Sequence, residues 1–164
     1  MLTILRSVHD TLLAHARDTW PDECCGLLAG TRSPSPACLS LSFQIPNLVS
    51  RFTLHASRLY VMDARAVRTA LEDIDSAGLE LLAIYHSHPL SPAVPSREDA
   101  RQAVNLHLLQ VILSLANPRL PDLRAFRLHD HAGSWTEVGI QIIEEEASRL
   151  RPAKAGRERA IMAQ

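Results

Sequence analysis

Aromatic residues are scarce in this chain, since Phe, Trp and Tyr together make up 4% of its 164 residues. So few rings do not build the stacking platforms on which proteins bind single-stranded nucleic acid. An excess of charge of one sign is also lacking, because 17 Lys and Arg residues nearly balance 18 Asp and Glu residues, for a net charge of −1. A balanced chain is not drawn to nucleic acid or to an anionic membrane surface by its overall charge. We therefore expect no nucleic-acid partner.

Long apolar runs and a secretory leader are likewise missing. No apolar run approaches the ~20 residues that a membrane helix needs. The first ten residues, MLTILRSVHD, lack the apolar stretch and small-residue cleavage site of a signal peptide. Three cysteines, two of them adjacent as Cys24 and Cys25, make neither a disulfide framework nor a CxxC pair. The sequence therefore predicts a protein of the reducing cytoplasm without a membrane partner.

The rest of the composition is that of a globular domain, with 46% hydrophobic and 21% charged residues. Apolar spacing predicts one helix from Ser7 to Trp20 and a longer one from Ser57 to Ala77, each with its serine as N-cap. A third helix begins at Ser96 and runs to about residue 104. The predicted strands cover residues 26–30, 38–45, 80–89, 108–116, 123–129 and 135–142. Helices and strands mixed in this order predict an α/β or α+β sheet domain.

The pattern that carries most chemistry is a pair of histidines, His86 and His88, followed after a Pro-rich loop by Ser96 and Asp99. Side chains two residues apart in a strand point to the same side, so both imidazoles can face one point. Ser96 and Asp99 are three residues apart and share one face at a helix start. If the loop folds back, two neutral nitrogens and one carboxylate meet, and a fourth tetrahedral position stays open for water. An open position is typical of catalytic zinc, whereas structural zinc sites are closed.

A hydrolase of this kind also needs a base that accepts a proton and returns it to the leaving amine. Glu23 is the candidate, because it stands just before an apolar strand, where a turn can present it to the end of a neighbouring strand. Its position alone does not distinguish it from the other acidic residues. The ligand pattern also has a structural interpretation. A His-x-His pair in a strand is often incidental, and Ser96 with Asp99 is a variant of the capping box.

Two further features of the sequence suggest other chemistry. Cys24 and Cys25 adjoin the candidate base and suggest a cysteine hydrolase with a histidine as its base. Burial in the core explains the two cysteines equally well. A second His-x-His pair, His129 and His131 with Asp130 between them, lies in turn-like sequence without a carboxylate at matching downstream spacing. We expect this second pair to be solvated turn residues.

The complete spacing resembles a known family. His86-x-His88, seven residues, Ser96, two residues and Asp99 match the signature of the JAMM (MPN-plus) metalloproteases, and Glu23 stands where that family keeps its catalytic glutamate. The segments PDECCGLLAG and AIYHSHPLSPAVPSREDA are similar to the small bacterial branch of the family. None of the five positions departs from the pattern of the active members.

The resemblance spans about residues 3 to 143 and implies a JAB/MPN fold of the cytidine-deaminase-like type. Such a fold has a curved, mainly antiparallel sheet flanked by helices. We accordingly expect a metalloprotease domain over residues 1–143. Residues 144–164 are then a charged C-terminal helix or tail.

The same resemblance implies one zinc ion per chain, held by His86, His88 and Asp99 with water as the fourth ligand. It assigns Glu23 as general acid/base and Ser96 as the group that steadies the tetrahedral oxyanion. The implied reaction is hydrolysis after the C-terminal Gly-Gly of a ubiquitin-like or sulfur carrier protein. Two alternatives stay open: a non-catalytic MPN-type interaction module, and a zinc amidase acting on peptides or small molecules. A homodimer is kept as an alternative to a monomer.

Overall fold

The computed structural model describes residues 1–49, 59–103 and 105–145. Within these ranges the chain forms one eight-stranded sheet and three helices. The helices are α1 (Arg6–Thr19), α2 (Ala64–Ser76) and α3 (Arg97–Gln102). The strands are β1 (Leu2–Leu5), β2 (Cys25–Thr31), β3 (Ala37–Ile45), β4 (Glu80–His88), β5 (Leu109–Ser114), β6 (Asp122–Leu128), β7 (Trp135–Val138) and β8 (Ile140–Ile143).

The strands lie side by side in the order β7-β6-β5-β4-β2-β3-β1-β8. β1 runs parallel to β3 and β8, and β4 runs parallel to β5. The other neighbours are antiparallel. The predicted α/β class is confirmed, with a mixed sheet in which antiparallel pairs are a narrow majority.

The last two strands occupy opposite edges of this sheet, although Gly139 alone separates them in the chain. The Leu2 amide, on β1 next to the edge strand β8, donates to the Gly139 carbonyl at 2.8 Å. The two edges must therefore approach each other, so the sheet is curved. The prediction of one continuous strand over residues 135–142 was wrong, because the chain changes edges at Gly139.

The first helix begins directly after a strand that the sequence analysis did not predict. β1 ends at Leu5, which takes the N-cap position of α1, and no side chain caps this helix. The predicted N-cap Ser7 instead lies in the first turn, because the chain passes from β1 into α1 without a loop. The helix packs one apolar stripe, Val8, Leu12 and Ala16, against the sheet core.

The second helix is shorter than its apolar pattern predicts. It begins at Ala64, and the Asp63 carboxylate accepts the amides of Arg65 and Ala66, both at 2.9 Å. The prediction of a serine N-cap was wrong, because an aspartate stands at the start of the helix and satisfies the same amides. The predicted cap, Ser57, lies outside the described residues.

Apolar clusters cover the sheet beneath two of the helices. α1 packs on a cluster that includes Leu28 and Tyr85, and α2 packs on a second one that includes Leu27 and Ile45. Close packing at the first cluster needs a glycine, since a Cβ on Gly26 would lie 2.3 Å from the Tyr85 ring. Among the described residues, no helix has the length and apolarity to cross a membrane. Residues 146–164 of the predicted tail lie outside the described residues, and the boundary at residue 143 stays a prediction.

Candidate metal centre

The two histidines stand at the C-terminal end of β4, an interior strand between β2 and β5. His86 is fully buried and His88 is 6% exposed. Their Nε2 atoms lie 3.2 Å apart, as the spacing of alternate strand residues predicted. Ser87 points the other way, where its Oγ accepts the Cys24 amide at 2.8 Å.

The third side chain of the cluster comes from the start of α3. Asp99 Oδ1 lies 3.3 Å from His86 Nε2, and its Oδ2 lies 3.7 Å from His88 Nε2. A capping box fixes the carboxylate: the Ser96 amide donates to Asp99 Oδ2 at 2.5 Å, and the Asp99 amide donates to Ser96 Oγ at 3.1 Å. Capping and convergence on the histidines are therefore compatible. α3 ends at Gln102, slightly before the predicted end near residue 104.

The donor set fits a divalent cation. One ligand atom from each of His86, His88 and Asp99 lies within 4.8 Å of the others, and all three residues are buried. His88 Nδ1 lies 2.7 Å from the Pro92 carbonyl, which only accepts hydrogen bonds, so Nδ1 carries a proton. Nε2 is then the ring nitrogen that can bind a cation. Two imidazole nitrogens and a carboxylate oxygen are ligands that zinc accepts. Iron, cobalt and manganese accept the same donors.

The imidazoles and the carboxylate of this cluster shift the pKa values of Asp99 and His88. Burial alone would raise the pKa of Asp99, but the adjacent imidazoles of His86 and His88 outweigh it and hold that pKa well below its usual range. Burial would lower the pKa of His88, yet the nearby Asp99 carboxylate and the bond to the Pro92 carbonyl raise it. The cluster therefore keeps a carboxylate ready as an anionic ligand.

Glu23 precedes β2 and is 5% exposed. Burial raises its pKa to about 8; His88 counteracts this shift, and the Asp99 carboxylate adds to it. Cys25 pairs with His86 where β2 lies beside β4, so Glu23, two residues before Cys25, lies at the same end of the sheet as the three clustered side chains. Glu23 also borders a cavity of about 390 Å³ that it shares with His15 and Asn47. The structure thus brings the predicted base to the predicted ligands.

One residue of the site carried no signal in the sequence. Tyr60 stacks on His86 with ring centroids 4.9 Å apart and an interplanar angle of 28°. It belongs to a segment that the apolar pattern placed inside the second helix. In the structure this segment is not helical and precedes α2, and the Tyr60 ring lies on His86 of β4.

The two neighbouring cysteines have the character of core residues. Cys24 is 2% exposed and Cys25 is fully buried. Burial raises the pKa of the Cys24 thiol to about 11 and that of Cys25 to about 12. A nucleophilic cysteine needs the opposite shift toward the thiolate. The burial of both thiols and their raised pKa values therefore disfavour a cysteine hydrolase.

The second His-x-His pair lies in the turn between β6 and β7. The Asp130 carboxylate accepts three successive backbone amides from residues 132–134, at 2.9 to 3.0 Å. His129 contacts Thr136, and His131 contacts the Ala100 carbonyl. These side chains point to separate partners, as expected for turn residues.

The fold and the buried cluster of His86, His88 and Asp99 agree with a match to a known protein family. A family model described as prokaryotic homologues of the JAB domain matches residues 5–129. The chain belongs to this family, which confirms the resemblance to the small bacterial JAMM/MPN-like proteins. A solved structure of a JAB1/MPN-domain protein from Archaeoglobus fulgidus shares the fold, with a TM-score of 0.53 at 20% identity over 87% of this chain and 97% of that one.

Some individual relatives are named for an activity, and others have solved structures. A CysO-cysteine peptidase of Mycobacterium tuberculosis is 31% identical over 88% of this chain and 93% of its own. A desampylase of Haloferax volcanii is 32% identical over 62% of this chain and 72% of its own. A solution structure of a Desulfitobacterium hafniense protein superimposes with a TM-score of 0.79 at 33% identity, over 93% of this chain and all of that one. The chain is similar to these proteins along most of its described length.

Proposed function

We propose that this protein is a zinc-dependent peptidase or isopeptidase that cleaves after the C-terminal Gly-Gly of a ubiquitin-like or sulfur carrier protein. The observation that carries the proposal is the convergence of His86, His88 and Asp99 beside the buried carboxyl group of Glu23. The relatives named as a CysO-cysteine peptidase, a probable TtuB-protein conjugate cleaving protease and a desampylase support the choice of substrate.

His86, His88 and Asp99 are the proposed ligands of one zinc ion per chain. With three protein ligands, a tetrahedral ion keeps a fourth position open for water or substrate. An ion held there supplies Lewis acidity toward the scissile carbonyl and toward water. The His88–Pro92 contact and the capping box hold two of the ligands in place through neighbouring groups, which is how metal ligands are usually oriented.

Glu23 is the proposed general acid/base. A pKa of about 8 in the protein without a cation means that burial disfavours the ionised carboxylate. A cation nearby favours ionisation, which brings the pKa toward neutrality. At neutral pH such a carboxylate can take a proton from the attacking water and then return it to the leaving amine.

Ser96 is the proposed oxyanion-stabilising group. Its Oγ already accepts the Asp99 amide at 3.1 Å, so the hydroxyl hydrogen remains available for another acceptor. A hydroxyl at the mouth of a helix next to the ligands can donate to the oxygen on which charge develops. The structural and catalytic roles of this side chain therefore coincide.

The shape of the centre favours a thin, extended substrate. The three proposed ligands are at most 8% exposed, so a substrate segment with side chains would have to displace protein atoms to reach them. A Gly-Gly tail has no side chains and meets that restriction. The free thiols of Cys24, Cys25 and Cys38 are consistent with the cytoplasm as the place of the reaction.

Two other functions predict different results in binding and cleavage assays. A non-catalytic interaction module would bind the carrier without cleaving it, although the buried ligand set beside Glu23 gives a scaffold no advantage. A zinc amidase would cleave short peptides as well as it cleaves the carrier. The proposed mechanism uses one chain, so a homodimer stays a prediction that light scattering can measure.

The experiment compares cleavage of a Gly-Gly-tailed carrier fusion with cleavage of short peptides by the zinc-loaded protein. We expect the carrier to be preferred and the cut to follow the second glycine, as read by mass spectrometry. Glu23→Gln should lower turnover by about 10²–10⁴-fold while zinc content stays unchanged, because the amide does not shuttle a proton. Glu72→Gln, an exposed position on α2, is the matched control and should be as active as wild type. A Glu23→Gln variant with the wild-type rate would refute the mechanism.

A further inference from the structure

One amide side chain joins the segments that carry Glu23 and Tyr60. Asn47 follows the end of β3, and its Nδ2 donates to the Glu23 carbonyl at 3.0 Å and to the Leu59 carbonyl at 3.3 Å. Its Oδ1 accepts the Val61 amide at 3.0 Å and the Val49 amide at 3.0 Å. Both hydrogens and both lone pairs of the amide are thus in use.

These contacts fall outside the helices and the named strands. Glu23 precedes β2, and Tyr60 lies between β3 and α2, where the backbone is held by an isolated bridge between Asn47 and Met62. Asn47 bonds to the residues on both sides of Tyr60, Leu59 and Val61, and thereby fixes the backbone that carries the ring. On its other side it fixes the backbone of the proposed general base.

The metal ligands themselves depend on other elements. His86 and His88 are held by the pairing of β4 with β2 and β5, and Asp99 by its capping box. Loss of the Asn47 amide would therefore leave the ligand set in place. It would release the two side chains that flank the set, the acid/base Glu23 and the stacked Tyr60.

We infer that Asn47 is a positioning residue, which fixes Tyr60 against His86 and Glu23 beside the proposed metal site. The kinetic part of this inference rests on the proposed function, whereas the placement of Tyr60 does not. A misplacement of about 1 Å at a reacting group can cost on the order of 100-fold in rate. An amide is required because an aspartate would keep the two accepting bonds, lose both donating bonds and set a negative charge against two carbonyl oxygens.

Proton NMR of the His86 ring tests the placement of Tyr60 directly. A ring stacked on His86 displaces the resonances of the imidazole protons, and Tyr60→Leu defines their positions without the stack. We expect Asn47→Ala to move them more than halfway toward the Tyr60→Leu positions. Asn117→Ala is the matched control, since Asn117 also accepts a backbone amide in a turn, at 3.2 Å, but lies between β5 and β6. It should leave these resonances unchanged.

Kinetics test the placement of Glu23. In Asn47→Asp the Val61 and Val49 bonds remain and the Leu59 bond is lost, so the His86 resonances should move less than in Asn47→Ala. We expect kcat for the carrier fusion to fall by about 10–100-fold, with KM within about threefold and zinc content unchanged, because an interaction made in the transition state is lost. Asn117→Asp should keep the wild-type kcat.

Each result decides the inference. His86 resonances that do not respond to Asn47→Ala, or that do not respond to Tyr60→Leu, would overturn it. A wild-type kcat in Asn47→Asp would overturn the Glu23 part, and zinc lost in parallel with activity would show a merely structural role. If Asn47→Ala does not fold, Asn47→Ser takes its place in the NMR experiment, because the shorter side chain also loses the amide bonds to both segments, and Asn47→Asp decides the Glu23 part. If wild type cleaves no carrier, the proposed function fails, and the His86 resonances still decide the positioning role.

Discussion

Asp99 Oδ1 lies 3.3 Å from His86 Nε2, although the two residues belong to a short helix and to an interior strand. Backbone pairing of β4 fixes the histidine, whereas a capping box at the first turn of α3 fixes the carboxylate. The geometry of the proposed metal site therefore depends on a helix cap. A change at the cap should affect stability and metal affinity together.

Ser96→Ala tests this dependence. The variant loses the bond from the Asp99 amide to Ser96 Oγ, and we expect a decrease of about 1 kcal/mol in the free energy of unfolding. Zinc affinity should fall as well, because the bond that remains, from the Ser96 amide to Asp99 Oδ2, orients the carboxylate less firmly on its own. Urea unfolding and a competition titration with a zinc chelator measure the two effects. Ser96→Thr retains a capping hydroxyl and should stay close to wild type in both; zinc affinity unaffected by Ser96→Ala would contradict the link.

Glu23 should make the metal-free protein less stable as pH rises. Its folded pKa of about 8 lies above the ordinary carboxyl value of 4.5, so the folded state binds its proton more tightly than the unfolded state does. The stabilisation is complete below about pH 4.5 and is lost progressively up to about pH 8. Metal-free Glu23→Gln does not titrate there. The variant should therefore exceed wild type in unfolding free energy by a margin that is about 1–3 kcal/mol larger at pH 8 than at pH 5.

Urea titrations of the two metal-free proteins at several pH values measure this margin. Histidines titrate in the same range, but they are common to both proteins and their contribution largely cancels in the difference. A margin that is independent of pH would mean that the Glu23 carboxyl group is solvated in the folded protein.

The cysteines next to Glu23 should be chemically inert in the native protein. Burial raises the pKa of Cys24 to about 11 and that of Cys25 to about 12, so both are almost fully protonated at pH 8. Iodoacetamide should therefore label the half-buried Cys38 first, as read by peptide mass spectrometry, and leave cleavage of the carrier intact. Denatured protein, in which all three thiols react, is the control. Rapid labelling of Cys24 with loss of activity would revive the cysteine-hydrolase alternative.

The parts of the site that the sequence predicted are those with short-range geometry. Alternation along a strand was sufficient to bring His86 and His88 to one side, and a three-residue spacing at a helix start was sufficient for the capping box. The apolar runs of the interior strands also predicted β2, β4 and β5 closely. Such features depend on a few neighbouring residues and on backbone geometry alone.

The parts that were missed depend on contacts between distant segments. The change of edge at Gly139 follows from which strand lies beside each half of the segment, and alternation does not encode that choice. The apolar stripe before α2 has helical spacing, yet it pairs with the end of β3 through a Met62–Asn47 bridge. Tyr60 consequently reaches His86, a contact for which no local pattern exists. Glu23 was placed at the site by family resemblance, since its own neighbours do not distinguish it from other acids.

Zinc content per folded chain, measured by elemental analysis, tests the central claim most directly. We predict about one zinc per wild-type chain and none in His88→Ala, because two ligands hold the ion far more weakly than three. His107→Ala, an exposed histidine outside the cluster, should retain its zinc. Cleavage of the carrier fusion should follow the metal, present in wild type and His107→Ala and absent in His88→Ala. A folded, metal-free wild type that still cleaves the carrier would contradict the account.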